Sequence, residues 1–508
     1  MKRIVVAALL AACGLFVAPD GAVGQDLAAF EKNVSTKVLA NGLTVIVYER
    51  RQAPVFSFFT HVDVGGDREL PGITGVAHMF EHMAFKGTDV IGTTDYKVEQ
   101  AALEQVERAY VAYDAERRKP SGSDPAKVKE LEQAWRDAIA AADRYVVPNE
   151  FDEIISRQGG VGLNAFTSWD ETGYFFSLPS NRLELWAYLE SERYLKPVMR
   201  EFYKERDVVM EERRMRTDSR PTGRLIEQFL ASAFTAHSYG RPVVGWPSDL
   251  QTFSATDALA FHRRYYVPSN MVVTVVGDVD AAEALRLVEL YFGRLPAGDA
   301  VPPVRTTEPP QQAERSVLLR DRAQPFYVEG YLKPAATHPD DAVYDVLGDL
   351  LSNGRTSRLY RSLVRDKKIA AQSAGFSGFP GTKYPNLFVL FAVPTPGHTT
   401  AEVRDAIRTE LERLKNEDVS DDELRMVKSR AKANLIRQLD SNQGLALQLG
   451  TAQARFGDWR ELFRQVERID KVSKEDVRRV AGTTFRESNR TVGALESTRA
   501  ARAPKGGR

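Results

Sequence analysis

Apolar residues follow several different rhythms along this chain. Leu43 to Tyr48 alternates moderately, and Val55 to Val64 is rich in β-branched and aromatic residues, so both predict strands. Around His78 to Phe85 the residues are apolar wherever they are not ionisable, which predicts a largely buried helix. From about residue 97 to 145 the pattern turns polar and rich in Ala, Glu and Arg. It breaks once, at Lys119-Pro120-Ser121-Gly122-Ser123-Asp124-Pro125. This predicts a helical hairpin inserted at about 97–145, its charges on a solvated face. Gly159 to Thr167 and Glu171 to Phe176 then read as strand, turn and strand. Leu183 to Glu212 is mostly helical in pattern, and Met271 to Val276 is a short buried strand.

Prolines at 296, 302, 303, 309 and 310 mark a linker over 296–312, dividing the chain into segments 25–295 and 313–508. The two segments repeat one pattern. Ser254, Asp257, Tyr266, Ser269 and Asn270 have counterparts at Ser473, Asp476, Phe485, Ser488 and Asn489, each 219 positions later. In both, a capped helix leads to an aromatic, then Ser-Asn, then an apolar strand. Ser316–Arg320, Phe326–Leu332 and Asp340–Leu351 likewise repeat the opening of two strands and a helix. A duplicated domain explains the match.

Composition is that of an ordinary globular protein of 508 residues, 43% apolar and 27% charged, with 69 basic side chains against 69 acidic. That balance leaves no basic field for nucleic acid. Lys2-Arg3, the apolar run Ile4 to Ala18 and Ala22-Val23-Gly24 form an export signal over 1–24, so the expected location is periplasmic or secreted. The alternative is a lipid anchor at Cys13, because Leu10-Ala11-Ala12-Cys13-Gly14 resembles a lipobox. No segment is a convincing transmembrane span. Cys13 is the only cysteine, which excludes an internal disulfide and a thiol metal ligand in the mature chain.

The chemistry concentrates at His78-Met79-Phe80-Glu81-His82, an inverted zinc-protease motif. On a helix, His78 and His82 share one face and can reach one ion. Glu81 lies on the same side, where a carboxylate can take a proton from a water. A third ligand is needed. Glu205 and Glu212 stand seven apart in a helical pattern, two turns on one face. Spacing alone leaves open which binds the ion and which orients a ligand.

The stretches Gly75 to Met83 with Phe85-Lys86-Gly87-Thr88, Asn164-Ala165 with Thr167, and Glu205 to Val209 followed by Glu212 resemble the M16 metallopeptidases. This is the family of insulinase, pitrilysin and mitochondrial processing peptidase. The resemblance spans about residues 38–496 and is nearest the short bacterial two-domain members. It implies an α+β fold of two homologous domains, each a mainly antiparallel β-sheet with helices packed on one face.

It also implies one Zn2+ per chain on His78, His82 and Glu212, with Glu81 as general base and Glu205 as supporting carboxylate. Glu211, the rival ligand, lacks the family's spacing of seven from Glu205. Peptide is expected to pair along Gly162 to Thr167, touching Asn164 and Ala165, and Arg365 is expected to reach it from the second domain. Ala371 and Gln372 stand where the family often has Tyr, so a homodimer or a heterodimer with a related chain is expected to complete the site. The implied activity is that of a zinc metalloendopeptidase on peptides or unfolded segments. The alternative is a non-catalytic binding or assembly subunit, which typically loses the base or a ligand.

Overall fold

The computed structural model describes residues 27–498. The export segment 1–24 and Cys13 lie outside the described residues. Six strands form the first sheet: β1 (Val34–Val38), β2 (Thr44–Glu49), β3 (Val55–Val62), β4 (Val161–Thr167), β5 (Thr172–Pro179) and β6 (Met271–Gly277). Their order is β1-β2-β6-β3-β5-β4. The second sheet comprises β7 (Arg315–Asp321), β8 (Phe326–Lys333), β9 (Ala370–Phe379), β10 (Asn386–Pro394) and β11 (Arg490–Ser497), in the order β7-β11-β8-β10-β9. Without β1 the two orders are the same. Among the described strands, only β2/β6 and β7/β11 pair in parallel.

The repeated residues do the same work in both halves. Ser254 and Asp257, like Ser473 and Asp476, form a capping box that satisfies free N–H groups at a helix start. Asn270 donates to the carbonyls of Tyr265 and Asp63, and Asn489 donates to those of Thr484 and Leu332. In each half this amide pins a helix C-terminus to the end of the strand beside it.

Helices of the first half cover one face of its sheet in a large apolar core. The other face is covered from the second half. Helix Asn442–Phe456 packs Leu445, Ala446 and Leu449 against Ile46, Phe59, Val272 and Val276. The exchange is mutual, since helix Pro221–Ala233 of the first half seats Leu225, Phe229 and Leu230 on Val328, Leu387, Val389 and Leu495 of the second sheet. Glycines permit the close approach. A Cβ at Gly450 would stand 2.8 Å from the Phe59 ring, and one at Gly330 would stand 2.8 Å from Phe229. β3 beyond Val55 and all of β6 are therefore buried on both faces. The β9–β10 turn adds a polar tie, in which Asp170 accepts from the backbone N–H groups of Thr382 and Lys383 while the Lys383 Nζ pairs with Asp63 at 2.6 Å.

The insert is two helices, Tyr96–Arg117 and Pro125–Ala142, capped by Asp95 and Asp124. Most of its charges face solvent. Glu99 does not: it is fully buried and takes a bidentate pair from Arg200.

Phe229→Ala should cost about 3–5 kcal/mol, because it opens a cavity in the exchanged interface. Urea denaturation followed by tryptophan fluorescence reads this as a lower midpoint, and an unchanged midpoint would contradict a mutual exchange.

Candidate metal centre

The motif helix, Val76–Met83, begins where Gly75 adopts φ +91°. A Cβ there would meet the Val244 carbonyl oxygen at 2.6 Å, so both space and conformation demand glycine. The buried Glu69 carboxylate accepts from the N–H groups of Gly75 and Ala77, both at 2.8 Å, and so satisfies the helix N-terminus. His78 is buried and His82 half-buried on one face, their ring centroids 5.0 Å apart.

The third group arrives on helix Phe202–Arg213. Glu212 places Oε1 3.6 Å from His78 Nε2 and Oε2 3.6 Å from His82 Nε2. One donor atom from each of the three residues lies within 4.8 Å of the others. Bonds of about 2.0–2.2 Å to a tetrahedral zinc would separate donors by about 3.4 Å, so this two-nitrogen, one-oxygen set fits that ion. Glu211 pairs with Arg214, and Glu212 is the carboxylate of the two that stands beside both imidazoles. Glu205 touches His82 Nδ1 at 3.3 Å and is itself paired with Lys86 at 2.5 Å. That arrangement turns the other ring nitrogen of His82 toward the cluster.

Glu81 points into the same space. Its Oε2 accepts a 2.6 Å hydrogen bond from Thr167 at the end of β4. Burial raises its pKa, opposed by that hydrogen bond and by the charge of His82. His78 is pushed down to about 4 by burial and by the neighbouring His82. For His82, burial disfavours charge, but hydrogen bonds to Glu205 and Glu212 outweigh it and raise the pKa to about 9.

β4 forms one edge of its sheet and, among the described strands, pairs only with β5. Asn164 is exposed on it, its Oδ1 accepting from the Ala165 N–H at 2.9 Å. A cavity of about 300 Å³ joins Glu81 and His82 to Leu163, Asn164 and Ala165. Arg365 is not brought to this place. It is an exposed residue of the π-helical segment Tyr360–Asp366 and pairs with its neighbour Asp366. Thr167, Lys86 and Arg216, which pairs with Glu212, were not singled out for roles in the sequence. Lys86 and Thr167 could have been, since both sit inside the motifs already quoted.

A zinc protease of Helicobacter pylori named PqqE is 30% identical over 453 residues, covering 88% of this chain and 89% of its own. The chain belongs to the M16 peptidase family. An uncharacterised zinc protease of Mycobacterium leprae is 27% identical over 91% of this chain and 92% of its own. A crystal structure of a protease from Helicobacter pylori superposes with a TM-score of 0.76 at 28% identity, covering 91% of this chain and 99% of that one. The M16 fold of two related α+β domains is shared with these neighbours. The periplasmic protease PqqL of Escherichia coli matches 91% of this chain but only 47% of its own, with a TM-score of 0.67 at 19% identity. The family description "Peptidase M16 inactive domain" matches residues 252–431, a stretch that begins after Glu212. A protease role and zinc use follow at the level of the family. No helix among the described residues is long and apolar enough to cross a membrane.

Glu205→Gln should weaken zinc binding about 10–100-fold by releasing the His82 ring, while Glu211→Gln should leave it unchanged. Competition with a chromophoric chelator measures both.

Proposed function

We propose that this chain is an exported zinc-dependent endopeptidase that cuts peptides or unfolded segments bound in extended form. The convergence of His78, His82 and Glu212 beside Glu81, at an open sheet edge, carries the reading. His78, His82 and Glu212 would hold one zinc ion, and Glu205 would hold His82 in the tautomer that presents Nε2. Zinc bound there supplies Lewis acidity that polarises a carbonyl and acidifies a water.

The chain's own residues do the rest. Backbone N–H and C=O groups along the open edge of β4 bind a peptide as an added strand, whatever its sequence. Glu81, steadied by Thr167, takes the proton of the attacking water and returns it to the leaving amine. Burial raises its pKa, which makes it a stronger base than an exposed glutamate.

A related second chain, or a second copy, is proposed to close over this edge. Ala371 and Gln372 are exposed on the edge strand β9 and offer no phenolic hydroxyl. The double length of the Escherichia coli protease supports a two-chain assembly. Export to the periplasm or beyond rests on residues 1–24.

The mature, zinc-loaded chain should cleave peptides in an assay read by mass spectrometry. Glu81→Gln should lower that rate by at least about 10²–10⁴-fold and keep its zinc by elemental analysis. Equal rates in parent and variant would remove Glu81 from the mechanism. Full zinc with no cleavage until a related chain is added would favour the two-chain form, and no cleavage with it would favour a binding subunit.

A further inference from the structure

Arg216 follows Glu212 by one turn, inside the π-helical segment Arg214–Asp218 that prolongs the acidic helix. Such widened turns recur at functional sites because they re-aim side chains. The Arg216 Nη1 pairs with Glu212 Oε1, the oxygen that faces His78 Nε2. Its side chain is 71% exposed where Glu212 is 14% exposed, so the guanidinium stands at the open mouth of the cluster. Its charge is felt at His78, Glu81 and Glu212 alike.

The neighbouring cations are committed elsewhere. Arg200 spends its N–H groups on Glu99 and on the carbonyls of Lys86, Thr88 and Ile91. Lys86 is held by Glu201 and Glu205. Arg213 is buried against Glu227 and the Gly245 carbonyl. Among the described residues, Arg216 has Glu212 as its one ion-pair partner, and a guanidinium carries five N–H donors. It therefore keeps donors beside the His78–Glu212 cluster that no other described protein group takes up.

Peptide hydrolysis needs such donors. As the water oxygen bonds to the carbonyl carbon, its proton passes to Glu81 and the carbonyl π pair moves onto oxygen. When that pair returns, the C–N bond breaks and Glu81 gives its proton to the amine. Between the two events the former carbonyl oxygen carries negative charge, and fixed donors aimed at it accelerate the reaction. The second half places no hydroxyl at Ala371 or Gln372, and Arg365 is turned to Asp366.

We propose that Arg216 donates to the scissile carbonyl oxygen as it becomes an oxyanion, which makes it a catalytic residue of the peptidase reading on which this inference rests. A role limited to clamping Glu212 predicts something different. Losing a clamp weakens zinc binding, whereas losing a nearby positive charge leaves it equal or tighter.

The test uses the zinc-loaded full chain with Arg216→Gln and Arg216→Lys. The probes are a phosphinic peptide, whose tetrahedral anion mimics the charged species, and the matching ordinary peptide bound in a Glu81→Gln background. Arg216→Gln should lose about 10²-fold in affinity for the phosphinic peptide, and kcat should fall about 10²–10³-fold at constant KM. Affinity for the ordinary peptide should hold, zinc affinity should not fall, and Lys should restore part of the phosphinic affinity. Phosphinic affinity that does not move, or zinc affinity that falls in parallel, would overturn the assignment. A parent that cleaves nothing even with a related chain added would sink the peptidase reading and this assignment with it, whereas cleavage by the parent with phosphinic affinity independent of Arg216 would sink the assignment alone.

Discussion

Everything at the candidate site depends on how firmly helix Phe202–Arg213 is pressed against the motif helix. Glu212 reaches both imidazoles only from that position, and three arginines secure it. Arg200 ties the start of the helix to the insert and to the Lys86–Ile91 loop. Arg206, 5% exposed, lies among the rings of Tyr110, Trp135 and Tyr203 and donates to the Phe253 carbonyl. Arg213 makes its bidentate pair with Glu227. Arg206 and Arg213 are seven apart, as Glu205 and Glu212 are, so one helix presents the cluster's carboxylates on one face and anchors on the adjacent one. Removing a partner from such a buried charge costs about 3–5 kcal/mol, which makes this placement rigid.

The same constraint gives the helical insert its purpose. It lengthens the gap between the motif and Glu212, yet it supplies Glu99 and Tyr110, which hold two of the three arginines. It is part of the scaffold behind the site. Charge explains the remaining neighbours. Glu81, Glu205 and Glu212 crowd one half-buried cleft, and His82, Lys86 and Arg216 offset them until a divalent cation does so. Meanwhile the mutual exchange of helices Pro221–Ala233 and Asn442–Phe456 fixes the two sheets on one another. The β4 edge thus keeps a constant relation to the second half.

Much of this was legible in the chain itself. His78, Glu81 and His82 share a helix face because 3.6-residue periodicity operates within a few residues, and the same local rule put Glu205 with Glu212. The duplicated Ser-x-x-Asp caps and the Ser-Asn pairs announced the repeat, since capping is also a short-range requirement. The composition of Met271 to Val276 marked a buried strand, though not what covers it. Tertiary packing decided the rest. It chose Glu212 over Glu211, kept Arg365 with Asp366, exchanged two helices between the halves and brought Arg216 to the mouth of the cluster. Those outcomes join residues as far apart in the chain as Phe59 and Gly450, where no periodicity reaches. They follow from which apolar faces bury one another and which buried charges find partners, and both are properties of the assembled fold.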